Sequence, residues 1–297
     1  MLEVSDIAYF TQVDGIGRSL NDYSNKIREN IIKNMRSINE KFENDPQYGD
    51  DWINLQMNFN RAMKKICSEW SSYKIEQKAG RKYNYDFHVV FYNKSGEEID
   101  DAKLEFKFNA TCIDDVPQFV SPMKPSQYLS QSFEDYYYDN YLVNLLQDYE
   151  LQIPEKNVYL SKIHSNKPKC MEMAQKKYYQ GCQRSSKFTG KQNDIDFYEN
   201  CINISKDCIE KFIEETDLNI SKLSDYLINS QNNKIYLLYK NNKFNIQSIE
   251  DDYTIVSYEK QPKNFRYVAT TKSGKTINIL LRWKNGNGIA YPAFQIS

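Results

Sequence analysis

The spacing of apolar residues changes character once in the first third of the chain, and that change limits the folds available to it. Residues 21–43 place Ile27, Ile31, Ile32, Met35 and Ile38 at helical intervals, which predicts an amphipathic helix. The segment DDWINLQMNFNRAMKKICSEW predicts a second, with acids at its start where the helix dipole favours them. From YDFHVVFY (85–92) onward the period is two. KLEFKFN alternates, with Leu104, Phe106 and Phe108 on one side and Lys103, Glu105, Lys107 and Asn109 on the other. With NKSGEE and its Gly96 between them, the two segments read as a hairpin whose second strand buries its aromatic side.

Further along, three prolines in DDVPQFVSPMKPSQYLS stop any long helix, and helical spacing resumes over 132–151 with an acidic face. Residues 155–228 read as helical and polar, broken around SSKFTGKQND. The remainder is strand-rich: KIYLLYK, KFNIQSI, YTIVSYE, FRYVATT, KTINILLRWK and IAYPAFQI, separated by turn signals. No internal repeat or low-complexity tract interrupts this order. The expected class is therefore α+β or mixed α/β, as one domain with a helical insertion.

Composition narrows the chemistry. No run approaches the roughly 18 apolar residues of a membrane span, and MLEVSDIAYF lacks a basic start followed by an apolar stretch. The expected location is the cytoplasm, or the nucleus of a host that has one, and not the secreted space. The chain has only two histidines, His88 and His164, so an active site must draw on carboxylates, lysines or hydroxyls. Its six cysteines contain no CxxC pair, and thiols are expected to stay reduced. His164, Cys170, Cys182, Cys201 and Cys208 also lack the close pair usual in structural zinc sites.

A net charge of -1 conceals two basic stretches. Residues 161–191 hold eight Lys or Arg against the single acid Glu172, and residues 260–284 hold seven and no acid. Sharing one face, they would attract a polyanion; otherwise they are solvated surface.

Glu105 and Lys107 lie two residues apart and point to the same side of their strand. Asp86, on the neighbouring strand, can bring a second carboxylate to that side. Two carboxylates can share a divalent cation, and a lysine beside them can position an attacking water, which is the equipment of phosphodiester hydrolysis without histidine. Asp86 followed across a turn by Glu105-Phe106-Lys107 resembles the bipartite signature of the PD-(D/E)XK superfamily of restriction-endonuclease-like nucleases. The flanking helices resemble it too, although Tyr85 stands where the signature has proline.

That resemblance implies a restriction-endonuclease-like core sheet flanked by helices. It implies Mg²⁺, with Mn²⁺ as a substitute, held by Asp86 and Glu105, and Lys107 assisting the water. An acid on the preceding helix is often part of such sites; Glu69 is the candidate here, with Asp51 behind it. The implied layout is a helical segment over 1–45, a nuclease core over 46–160, a basic helical insertion over 161–232 and a β-rich part of the same domain over 233–297. The implied activity is that of a type II restriction enzyme on double-stranded DNA, for which a symmetric homodimer would be the natural way to cut both strands.

Gln118 and Lys124, just past the catalytic strand, could touch backbone or base edges of DNA. Arg282, Trp283 and Lys284, before the NGNG turn, offer charge and a stacking plane. Both groups could equally be surface loop and ordinary hairpin packing. The residues also leave open a non-catalytic nucleic-acid-binding or protein-interaction module, and a repair or recombination nuclease of low specificity.

Overall fold

The computed structural model describes residues 20–38, 40, 44–46, 48–78, 83–115, 124–164, 171–181, 191–249, 252–283, 289 and 291–297. The chain forms two compact units, one from Met1–Gln118 with Gln231–Glu250 and the other from Phe119–Ser230 with Asp251–Ser297. It contains helices and two sheets, one of them mixed, and is of the α+β class. The unit limits at 118, 230 and 250 are not the divisions expected at 45, 160 and 232.

In the first unit, α1 (Leu20–Lys33) buries Ile27, Ile31 and Ile32, with Met35 and Ile38 buried just beyond it. The helix ends short of the expected residue 43. Asn34 turns its side-chain amide back onto the Asn30 carbonyl at 2.7 Å, competing with the next helical turn, and a 3₁₀ turn, Met35–Ser37, follows. α2 (Gly49–Ile66) starts with Asp50 and Asp51, ends with Lys64 and Lys65, and buries Trp52, Leu55, Phe59, Ala62 and Met63 at helical spacing. Lys64 closes it by donating to the carbonyls of Ser68 and Trp70 at 2.8 and 2.6 Å.

Five strands follow in the spatial order β1 (Ser72–Gln77), β2 (Phe87–Tyr92), β3 (Glu98–Phe108), β4 (Lys234–Lys240) and β5 (Lys243–Ser248). The β2–β3 turn uses Gly96 at φ +81°, and the Asn93 side chain accepts from the amides of Ser95 and Glu97 at 2.8 and 3.0 Å. β1 was not expected, because SYKIEQ is short, polar and lacks a clear apolar face. β3 and β4 run parallel, and the other neighbouring pairs are antiparallel. A parallel pair needs a long crossover, which residues 119–230 supply.

One face of this sheet packs Ala102, Leu104 and Phe106 against the apolar sides of α1 and α2, and Phe108 joins them half-buried. Full burial of each large side chain contributes about 1.5–3 kcal/mol. β3 is therefore fixed with Lys103, Glu105 and Lys107 on the opposite face. A small second cluster, Ala110, Ile113, Tyr236 and Leu238, covers part of that face.

In the second unit, α3 (Phe133–Tyr137) runs through a π-helical turn, Tyr138–Leu142, into α4 (Val143–Asp148). α5 (Lys156–Lys162), α6 (Glu172–Gly181), α7 (Gln192–Glu215) and α8 (Ile220–Gln231) follow. Its sheet is an antiparallel meander, β6 (Ile255–Gln261), β7 (Arg266–Thr271), β8 (Thr276–Trp283) and β9 (Pro292–Ile296). The six C-terminal strands expected in one β-rich part thus divide between two sheets. Alternation reveals a strand's buried side but not its partner, and β4 pairs with β3 rather than with the strands after it. No helix among the described residues is long and apolar enough to cross a membrane.

Candidate active site

Asp86 immediately precedes β2 and already takes part in the sheet, with its amide donating to the Leu104 carbonyl at 2.9 Å and its carbonyl accepting from the Lys78 amide at 2.7 Å. Because Phe87 pairs with Leu104, Asp86 falls opposite Glu105. Its Oδ2 accepts the Phe106 amide at 2.9 Å, which fixes the side chain beside β3. On β3 the pleat puts Glu105 and Lys107 side by side, and Lys107 Nζ donates to Glu105 Oε1 at 2.7 Å. Asp86, Glu105 and Lys107 line one cavity of about 320 Å³.

A third carboxylate enters from α1. Glu29 lines the same cavity, with Asn25 one turn before it, and Gln77 at the end of β1 donates to Glu29 Oε2 at 3.0 Å. Sequence reasoning passed over Glu29 in favour of Glu69. Glu69 instead lies exposed after α2, accepting from the Ser68 hydroxyl at 2.9 Å, and is not part of the cavity wall; Asp51 is exposed in the first turn of α2. The available signal was position: Glu29 follows Ile27 and precedes Ile31, at the border of the buried stripe of α1, where a polar side chain can reach the edge of the sheet.

Three acids and one lysine leave excess negative charge in a half-buried site. Burial pushes Asp86 up from 3.8 to about 7, Glu105 and Glu29 push it the same way, and the Phe106 amide and Lys107 oppose the shift. Glu29 is also raised, first by burial and then by Glu105, against its hydrogen bond from Gln77. Lys234 at the start of β4, 3% exposed, feels the same carboxylates; burial lowers its pKa, while Glu105 and Asp86 raise it.

Among the described residues, no three carboxylate, thiolate or imidazole groups form a ready metal cage. Mg²⁺, however, keeps several waters and takes only one or two protein carboxylates. Asp86 and Glu105 each use one oxygen on a neighbour, through Oδ2 and Oε1, and retain the other for a cation. The donor set fits a hydrated divalent ion.

The expected DNA contacts fare differently. Gln118 and Lys284 lie outside the described residues, as do Cys170 and Cys182. Lys124 is exposed at φ +61°, ahead of a 3₁₀ turn in the second unit. Trp283 corrects the expectation: it is 3% exposed, with ring centroids of Tyr137 and Phe133 at 4.6 and 5.6 Å, so it presents no plane to a nucleotide. Arg282 is half-buried on β8, and burial lowers its pKa.

The basic stretches are partly neutralised within the second unit. Lys177 pairs with Asp194 at 3.3 Å, Lys260 with Asp217 at 2.9 Å and Lys272 with Asp252 at 3.5 Å. Cys201 and Cys208 are buried free thiols on α7 whose pKa values burial raises, and His164 contacts Glu134 Oε1 through Nε2 at 2.9 Å. These three side chains act as packing and hydrogen-bonding groups. No protein-family model matches the chain, and no curated protein matches it significantly.

Proposed function

We propose that the chain is a metal-dependent deoxyribonuclease with a restriction-endonuclease-like core, hydrolysing phosphodiester bonds in double-stranded DNA. The observation that carries the reading is the convergence of Asp86, Glu105 and Lys107 with Glu29 in one polar cavity. The arrangement agrees with the resemblance to PD-(D/E)XK nucleases: a helix precedes the strands, acid and lysine share one face, and apolar residues between them hold the strand to the core.

Asp86 and Glu105 would hold Mg²⁺ or Mn²⁺, which when bound supplies an acidic water and charge neutralisation at phosphate. Lys107 carries three N–H donors and gives one to Glu105, leaving two for a phosphate oxygen or a water. Glu29, aligned by Gln77, adds a third anion that favours a cation in the cavity. The Phe106 amide keeps the Asp86 carboxylate turned toward Glu105.

The test is incubation of the full chain with supercoiled plasmid and Mg²⁺, and again with EDTA. Discrete fragments that EDTA abolishes are the expected result. A smear indicates a nuclease without sequence preference, and retarded but intact plasmid indicates a binding module and removes catalysis.

A further inference from the structure

Arg28 on α1 touches two residues of the carboxylate cavity at once. One of its terminal nitrogens donates to Asn25 Oδ1 at 3.1 Å, three residues back on the same helix, and its guanidinium carbon lies 3.5 Å from the centroid of the Phe108 ring at the end of β3. Arg28 is 6% exposed, and the Phe108 ring in turn stacks on Tyr239 with the ring planes 16° apart, so packing fixes the group. A guanidinium has N–H donors and no acceptor. The Asn25 carboxamide therefore turns its oxygen to Arg28 and keeps the two N–H bonds of Nδ2 for the cavity that Asn25 lines.

A second neutral donor comes from the backbone. The Leu104 carbonyl accepts the Asp86 amide, and the Phe106 amide donates to Asp86 Oδ2, so both residues turn their main-chain groups toward β2. Peptide groups alternate in direction along a strand, and Phe108 is the next of that series. It lies beyond the start of β2, which begins at Phe87 opposite Leu104. Its N–H thus opens onto the cavity, and among the described residues no loop carbonyl or side chain accepts it.

Uncharged donors suit this cavity. Glu29, Asp86 and Glu105 already face one lysine there, and a further cation would pair with those acids in competition with a metal ion. Fixed N–H groups meet the charge on a phosphoryl oxygen without that competition. We propose that Asn25 Nδ2 and the Phe108 amide bind a non-bridging oxygen of the scissile phosphate, and that Arg28 is the positioning residue that holds both. This role rests on the nuclease reading and adds to it the groups that orient the phosphate.

The full wild-type chain is compared with Asn25→Ala, Asn25→Asp and Arg28→Lys, and with Asn25→Ala combined with Arg28→Lys. Asn25 is exposed, so its variants report even where an Arg28 variant fails to fold. The measurements are plasmid cleavage in Mg²⁺, calorimetric Mg²⁺ titration without DNA, and anisotropy of a fluorescein-labelled duplex across salt in EDTA. Asn25→Ala and Asn25→Asp should each cut about ten- to a hundredfold more slowly, as expected for one lost hydrogen bond to a charged group. Asn25→Ala should bind Mg²⁺ like the wild type. It should also bind the duplex several-fold more weakly with an unchanged salt slope, because a neutral amide displaces no counterion. Arg28→Lys keeps the charge without the planar fork, and its loss of cleavage should be smaller in the Asn25→Ala background than alone.

Wild-type cleavage by Asn25→Ala would overturn the role of Asn25 and leave the nuclease standing. Wild-type cleavage by Asn25→Asp with a slow Asn25→Ala overturns it too, since Asn25 then only accepts from Arg28. Weakened Mg²⁺ binding by Asn25→Ala would move Asn25 into the metal site, and fully additive losses would remove the positioning role of Arg28. In a wild type that leaves plasmid intact, weaker duplex binding by Asn25→Ala keeps the phosphate contact and removes the nuclease, whereas unchanged duplex binding removes both.

Discussion

The Asp86 carboxylate completes the hydrogen bonding of a strand it does not belong to: its Oδ2 accepts the Phe106 amide at 2.9 Å, beyond the point where β2 begins. The bond ties the first acid of the site to the backbone between the second acid and Phe106. Asp86 and Glu105 are thereby held together although burial, with the charge of Glu105 and Glu29 added to it, drives Asp86 up to about 7.

Stability should fall with rising pH through this group. Asp86 titrates near 3.8 unfolded and about 7 folded, so between these values the native state binds more protons, and the stabilisation present below pH 3.8 is lost as pH passes 7. Asp86→Asn still accepts the Phe106 amide and cannot ionise. Thermal unfolding from pH 4 to pH 9 should show a flatter profile for the variant and a higher midpoint than wild type at pH 8. A parallel profile would mean that burial and the neighbouring acids do not raise the Asp86 carboxyl.

Cation binding should relieve the same strain. At pH 8, Mg²⁺ at a hundredfold excess over its dissociation constant should stabilise the wild type by about 2.7 kcal/mol. Asp86→Asn combined with Glu105→Gln should abolish the effect. Calorimetric titration with Mg²⁺ or Mn²⁺ checks it directly, and equal stabilisation of the double variant would place the ion elsewhere.

Lys107→Ala and Glu105→Gln should separate chemistry from binding. The first leaves both carboxylates, so DNA and metal still bind while cleavage falls by about 10²- to 10⁴-fold, the range of positioned acid-base groups. Glu105→Gln should stop cleavage yet tighten DNA binding in EDTA, because it removes a negative charge facing phosphate. An ordinary exposed strand face would show neither response, since such substitutions change stability by less than about 0.5 kcal/mol.

Glu29→Gln should reduce Mg²⁺-dependent cleavage more than Glu69→Gln does. Only Glu29 lines the cavity. The reverse order would return the helical acid to the end of α2.

Trp283→Ala should unfold rather than merely weaken DNA binding. Deleting a buried indole costs about 3–5 kcal/mol through the cavity left behind. Urea unfolding reads the loss, and a variant of wild-type stability with reduced DNA affinity would restore Trp283 to an interface.

The hairpin was legible because its signal is local: Leu104 and Phe106 alternate with Glu105 and Lys107, and burying the aromatic side leaves the charged side no other place. Two ångström-scale facts were not legible. Glu29 reaches the site from a helix far earlier in the chain, and its place at the border of the buried stripe of α1 marks it as able to reach a sheet edge without saying which strand lies there. The β3–β4 pairing joins segments on either side of residues 119–230, and alternation carries no information about partners that distant. Trp283 was misjudged for a related reason, since the Phe133 and Tyr137 rings that cover it come from another part of the sequence.

The parallel partnership of β3 and β4 also sets a schedule for synthesis. On the ribosome, α1, α2 and the β1–β3 meander emerge first, carrying all seven residues that line the carboxylate cavity, while the outer edge of β3 waits for Lys234–Lys240. Until residues 119–230 have been translated, that edge exposes unpaired backbone groups beside Leu104 and Phe106, the kind of surface that recruits strands from other chains. Late closure of a long loop also slows folding. The helical segment 119–230 therefore doubles as a timer, and a nascent chain halted before β4 holds Asp86 and Glu105 on an unprotected sheet edge.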